Sequence, residues 1–134
     1  MLPARAEGRA LADQLGFSRT DATLIATAIS EIARNILVHA GSGEITLTPI
    51  YDDDRAGIAV TACDRGPGIR DVKAALEDGY SGAQGGTGLG LPGARRLMDD
   101  FEITSRLGEG TTVTMKKWRK RDAFELPRER RGRG

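Results

Sequence analysis

The chain has 134 residues but one cysteine, one histidine and one tryptophan, and aromatics make up only 4% of it. A lone cysteine, Cys63, excludes an internal disulfide. With His39 the single histidine, no zinc-type ligand set of the usual spacing can form either. Cys63 reads instead as a small buried strand residue. Long hydrophobic runs are also missing. The uncharged apolar stretches, such as Gly57 to Cys63, are strand-sized, so no segment is expected to cross a bilayer, and the N-terminus shows no basic-then-apolar leader. These absences point to a cytoplasmic protein with no membrane partner. Net charge is also small, at +1, but unevenly spread. From Arg119 to Gly134 there are seven Lys/Arg against three Asp/Glu, which leaves the body slightly acidic. That tail has neither a fold signal nor an aromatic platform, so it is expected to be flexible and solvated rather than a nucleic-acid contact.

What the chain does have is glycine, 18 of them, unevenly placed. Its length suits one domain, expected over residues 1–118, with 119–134 as the tail. Ala4 to Leu15 carries Ala and Leu at helical spacing and stops at Gly16. A second helix follows, capped by Ser18, Thr20 or Asp21. Its Leu24, Ile25, Ile29, Ile32, Ile36 and Leu37 recur with a period near 3.6 until Gly41. Glu44 to Tyr51 and Ile58 to Cys63 read as an antiparallel hairpin turning through Asp52 to Gly57. Val72 to Glu77 suits a short helix, and Gly79 to Gly90 a mobile loop. Pro92 fits the first turn of a helix running to about Asp99. Phe101 to Leu107 and Thr111 to Trp118 form a second hairpin around Gly108-Glu109-Gly110. Helices and hairpins come in groups, so the expected class is α+β, a two-layer sandwich with helices on one face of a largely antiparallel mixed sheet.

Three local patterns carry chemistry. Glu31 and Asn35 are four apart on the long helix and share a face. The Asn35 amide oxygen can ligate Mg2+ while phosphate oxygens and waters complete the octahedron, and Glu31 is close enough to take a proton from an attacking hydroxyl. Taken alone, such a pair is more often a solvated helix face. Asp64-Arg65-Gly66-Pro67-Gly68-Ile69 ends a strand in a carboxylate followed by two glycines. A carboxylate there can accept from an exocyclic amine, and a flat base can lie against Gly66 and Gly68, although the same letters also describe a plain turn. Gly85-Gly86-Thr87-Gly88-Leu89-Gly90-Leu91-Pro92 sets free backbone amides at a helix N-terminus, which favours phosphate. It is neither a Walker A loop nor a dinucleotide fingerprint.

In their order, Glu-x-x-x-Asn, Asp-x-Gly-x-Gly, the Gly-Thr-Gly-Leu-Gly loop and Gly-x-Gly-Thr at Gly108 to Thr111, these patterns resemble the boxes of the GHKL (Bergerat) ATPase and kinase superfamily. The resemblance spans about Ala4 to Trp118. It implies ATP and Mg2+ as cofactors, with Asn35 on the metal and Asp64 on the adenine amine with Thr111 nearby. Gly66, Gly68 and Ile69 would lie by the base, and Gly86, Thr87, Gly88, Leu89 and Gly90 by the phosphates. Within the superfamily, Ala26 to Asn35, Glu77 to Ser81, Leu91 to Asp99 and Lys116-Lys117-Trp118 resemble the anti-sigma-factor serine/threonine kinases, most of all the RsbT-type switch kinases of the stressosome. That implies phosphorylation of a serine or threonine on a STAS-domain partner, with Glu31 as base. A PP2C-type phosphatase and a sigma factor are further implied partners.

Two departures stand out. The family usually has a strand before the first helix, where only Met1-Leu2-Pro3 stand here, so either a missing edge strand or a truncated chain is expected. The basic tail after Trp118 is also longer than the resemblance needs. Separately, the loop from Gly79 to Gly90 has no Lys or Arg. Neutralising a γ-phosphate there would fall to Mg2+, backbone amides and an arginine from elsewhere such as Arg34. Two other functions share these boxes. One is a binding module in which nucleotide only sets conformation, acting as an anti-sigma factor or a phosphatase activator. The other is a histidine-kinase catalytic domain, which would need a phosphorylatable histidine on a separate helix pair, whereas His39 lies on the long helix itself.

Overall fold

The structure is a computed structural model that describes residues 2–53, 55–69 and 90–119. Three helices, α1 (Leu2–Gln14), α2 (Arg19–His39) and α3 (Gly90–Leu97), cover one face of a sheet built from β1 (Gly43–Asp52), β2 (Arg55–Asp64), β3 (Asp100–Arg106) and β4 (Gly110–Trp118). The sheet order is β1-β2-β4-β3, and every described ladder is antiparallel. The expected α+β two-layer sandwich is what forms. The short helix expected over Val72 to Glu77, residues 79–89 of the expected glycine-rich loop and the tail beyond Arg119 lie outside the described residues.

Helix α2 is the spine, because it packs against both α1 and α3 and against the sheet. Ser18 is its N-cap: the side-chain oxygen accepts from the Asp21 N–H at 3.0 Å, satisfying one of the donors that a helix start leaves open. At the other end, the Ala40 and Gly41 N–H groups both donate to the Ile36 carbonyl, at 2.8 and 3.0 Å. Ile25, Ile29 and Ile32 are fully buried and meet Ile58, Val60 and Met115 from the sheet. Fully burying one such side chain contributes about 1.5–3 kcal/mol, and this apolar seam sets the distance between the layers.

Burial alternates along β3, along β4 from Thr111 and along β2 from Ile58. In β2, Ile58, Val60 and Ala62 point to the helices, and Thr61 and Cys63 to the opposite face. Cys63 is therefore exposed, contrary to the sequence expectation, with its sulfur 3.1 Å from the Thr112 hydroxyl across the ladder. The apolar run around it suggests cover on both faces, but among the described residues only one face of the sheet carries helices. The first hairpin is also tighter than expected. Asp52 pairs with Arg55, and Asp53 between them takes a left-handed φ of 50°. Close to this turn Trp118 lies so near Gly57 that a Cβ there would come within 2.7 Å of the ring. The Arg55 guanidinium sits 4.0 Å from the centre of that ring.

Helix α3 ends at Leu97, two residues before the expected boundary, because the Asp99 N–H joins the sheet by donating to the Lys116 carbonyl. Lys117 occupies a helix-facing position of β4 and is buried, at 6% exposure. Its ammonium donates to the Leu97 carbonyl at 2.8 Å, so a strand side chain caps the C-terminus of α3, where the helix dipole favours a cation. Lys117→Met keeps the aliphatic stem and removes the cap. Urea unfolding should then show a loss of about 1–2 kcal/mol, with an unchanged slope; an unchanged midpoint would mean that the cap contributes nothing.

Candidate functional site

Residues that face the helices line up in rows across all four strands, and the rows change character along them. One row is Leu47, Val60, Met115 and Phe101, and the next is Ile45, Ala62, Val113 and Ile103. The row after that is Gly43, Asp64, Thr111 and Ser105. The core thus stops at a line of small and polar residues at one end of the sheet. Buried polar atoms there must satisfy one another. No buried side-chain nitrogen or oxygen among the described residues lacks a partner.

Asp64 turns the chain. Its Oδ1 accepts from the Gly66 N–H at 2.8 Å, which bends the backbone after β2 and leaves Oδ2 as a further acceptor. The two glycines that follow are demanded by their neighbours. A Cβ on Gly66 would come within 2.5 Å of the Ala40 Cβ at the end of α2. Gly68 has a φ of 82°, and its Cβ would collide with the Arg106 carbonyl. The Pro67 carbonyl in turn accepts from Gly108 at 2.9 Å. The Asp64 to Ile69 turn is therefore clamped between the C-terminus of α2 and the β3–β4 hairpin.

Thr111 is buried and stands directly across from Asp64 in the β2–β4 ladder. Its hydroxyl is 2.8 Å from that of Ser105, which also accepts from the Ile69 N–H at 2.7 Å and donates to the Gly110 carbonyl at 3.2 Å. Ser105 is not among the sequence-derived residues. The signal is present nonetheless: Phe101 and Ile103 set a period of two in β3, and position 105, which should be apolar, is a serine.

Above this end of the sheet, α2 carries Glu31 and Asn35 one turn apart. Glu31 is buried, at 9% exposure, and has an interaction partner. Asn35 is half-buried. Of the glycine-rich stretch, Gly86, Thr87, Gly88 and Leu89 lie outside the described residues, and Gly90 opens α3. Two hollows flank Asp64, one of about 360 Å³ lined by Ser42, Gly43, Glu44, Cys63, Asp64 and Arg65. The other, of about 290 Å³, runs from Asp64 past Thr111 and Thr112 to Arg106 and Glu109. Neither is lined by Glu31 or Asn35; both mix residues of the helix-facing row, Gly43, Asp64 and Thr111, with outward-facing ones such as Glu44, Cys63 and Thr112. Among the described residues no three His, Cys, Asp or Glu side chains form a group that could hold a metal, and no helix is long and apolar enough to cross a membrane.

Comparison with known proteins bears on this arrangement. A family model for the histidine kinase-like ATPase domain matches residues 1–117. The chain is 47% identical over 118 residues to the serine/threonine-protein kinase RsbT of Bacillus subtilis (strain 168), covering 88% of each chain. It is 32% identical over 120 residues to the anti-sigma F factor of Caldanaerobacter subterraneus subsp. tengcongensis, covering 86% of this chain and 82% of the other. Among solved structures, the catalytic domain of histidine kinase ThkA matches with a TM-score of 0.52 at 18% identity, over 81% of this chain and 68% of its own. Full-length ShkA in complex with AMPPNP matches with a TM-score of 0.53 at 23% identity, over 75% of this chain, which spans only 22% of ShkA. At these identities the two structures speak for the fold alone. Fold, site order and sequence relatives agree that the chain belongs to the histidine kinase-like (GHKL) ATPase domain family, in its branch of RsbT-like serine/threonine kinases and anti-sigma factors.

Proposed function

We propose that this chain is an Mg-ATP-dependent protein-serine/threonine kinase of a cytoplasmic partner switch of the stressosome type, acting on a serine or threonine of a STAS-domain protein. The observation that carries the reading is the 47% identity, over 88% of both chains, to a serine/threonine-protein kinase. The polar row supports it from the geometry: Asp64 and Thr111 stand side by side on the helix-facing side at the sheet's end, where an adenine amine could be met. The domain would be residues 1–118, with 119–134 outside its chemistry.

The donor set suits the cofactor. Asn35 offers an amide oxygen, the kind of ligand Mg2+ prefers, and Mg2+ ordinarily completes its octahedron with phosphate oxygens and waters. In this reading the bound nucleotide supplies the transferable phosphoryl group. Asn35 orients the metal through its amide oxygen, Asp64 and Thr111 hold the base edge, and Gly66, Gly68 and Ile69 shape the floor beside it. The amides of Gly86, Thr87, Gly88, Leu89 and Gly90 would be the donors to the phosphates. Glu31 would take the proton that the acceptor hydroxyl gives up as its oxygen bonds the γ-phosphorus, while the bond from that phosphorus to the β–γ bridging oxygen breaks and ADP leaves.

A second reading is favoured by the 32% identity to an anti-sigma F factor. Here the chain sequesters a sigma factor, or activates a PP2C-type phosphatase by contact, and nucleotide sets its conformation. Incubation with radiolabelled ATP and candidate partners separates the two. Label on a STAS-domain serine or threonine supports the kinase, whereas complex formation with a sigma factor or phosphatase, and no label on any STAS protein, replaces it.

Two further outcomes follow from the residue roles. Glu31→Ala should slow transfer about a hundredfold or more while keeping Mg-ATP affinity within a few-fold, and Asn35→Ala should lose the metal-dependent part of binding. Calorimetry run beside the transfer assay reads both, and normal transfer by Glu31→Ala would remove Glu31 as the base. ATP should also bind roughly a hundredfold more tightly than GTP, because the guanine carbonyl would meet the Asp64 carboxylate with lone pairs opposed. Equal affinities would overturn the role of Asp64.

A further inference from the structure

The hydroxyl of Ser105 joins three groups whose polarities are not equally free. The Ile69 N–H can only donate and the Gly110 carbonyl can only accept. A serine hydroxyl has one proton and two lone pairs. Ile69 takes one lone pair at 2.7 Å, and Gly110 takes the proton at 3.2 Å. Either hydroxyl could donate across the 2.8 Å between Ser105 and Thr111; with the Ser105 proton given to Gly110, the remaining lone pair makes Thr111 the donor. With its proton committed to Ser105, Thr111 has only lone pairs left for the space beside Asp64, its partner across the ladder.

We infer that Ser105 is a specificity-determining positioning residue that holds Thr111 as an acceptor, so that Asp64 and Thr111 together present two acceptors to the two N–H bonds of a purine 6-amino group. The inference rests on the nucleotide-binding reading above and adds a cause for base choice that lies one residue behind the pocket. Were the Ser105–Thr111 bond reversed, Thr111 would turn its proton outward and favour a carbonyl at that position. The same hydroxyl holds the Ile69 amide, so base choice and the exit of the chain from the Asp64 turn share one atom.

The test uses calorimetry on the full chain with Mg2+ and two ligands, ATP and purine riboside triphosphate, which lacks only the 6-amino group. Ser105→Ala should weaken ATP roughly tenfold and leave the deamino analogue within about twofold, while Ser105→Thr, which keeps the hydroxyl on a strand-compatible side chain, should bind ATP normally. Because Ser105 acts through Thr111, the double variant with Thr111→Val should discriminate between the ligands no worse than Thr111→Val alone. Equal weakening of both ligands would show a merely structural role and overturn the inference, as would an unchanged ATP affinity. If Ser105→Ala does not fold, Ser105→Cys, with a poor acceptor of similar size, must show the same selective loss. A wild-type chain that binds neither ligand overturns the nucleotide reading and this inference together; one that prefers ATP while the variants keep that preference overturns only this inference.

Discussion

The structure depends on the way its core ends. Two successive rows across the four strands are closed against the helices by apolar side chains, and the next substitutes Gly43, Asp64, Thr111 and Ser105. Polar groups half-buried at the edge of a core are costly unless each finds a partner. Here the partners are supplied by the turns that leave the sheet: Gly66 to the Asp64 carboxylate, and Ile69 and Gly110 to the Ser105 hydroxyl. The need to satisfy that row shapes the Asp64 turn, sets where the chain departs after Ile69, and draws the β3–β4 hairpin against Pro67.

The helical layer is fixed to this row from above. Ala40 at the end of α2 fills the space beside Gly66, and Ile36 approaches Gly43 within 2.8 Å of where a Cβ would stand. Larger residues at either glycine would push α2 away from the sheet's end, and with it Glu31 and Asn35. Helix α3 is held separately, by Lys117 at its C-terminus. The chain thus leaves the sheet's end from one anchored point, Ile69 on the Ser105 hydroxyl, and returns at another, Gly90 at the head of a capped helix. Both anchors belong to the described residues.

The alternation of the strands has a second consequence on the uncovered face. Glu44, Thr46, Thr61, Cys63, Thr104, Thr112 and Thr114 lie there, which keeps that side wettable and accounts for the shortage of aromatics. Trp118 is the exception, and it is occupied: it covers Gly57, carries Arg55 on its ring and donates from Nε1 to Asp100 at 3.3 Å.

Much of this was legible in the letters. The isoleucines of α2 at helical spacing, the two hairpins and the grouping of elements determined the α+β sandwich, because periodicity reports directly on which face of an element is covered. The order of Glu31, Asn35, Asp64, the glycines and Thr111 determined the family, since each is a local pattern at a fixed place along the chain. Tertiary structure decided what depends on neighbours distant in sequence. That, among the described residues, only one face of the sheet is covered left Cys63 exposed; that Ala40 and Arg106 press on the Asp64 turn made Gly66 and Gly68 structurally obligatory. The strand order β1-β2-β4-β3 put Ser105 beside Thr111 and Thr111 beside Asp64, a juxtaposition across three strands that no spacing along the chain encodes. Hydrogen bonds between side chains act over about 3 Å of space, and the fold alone sets those distances.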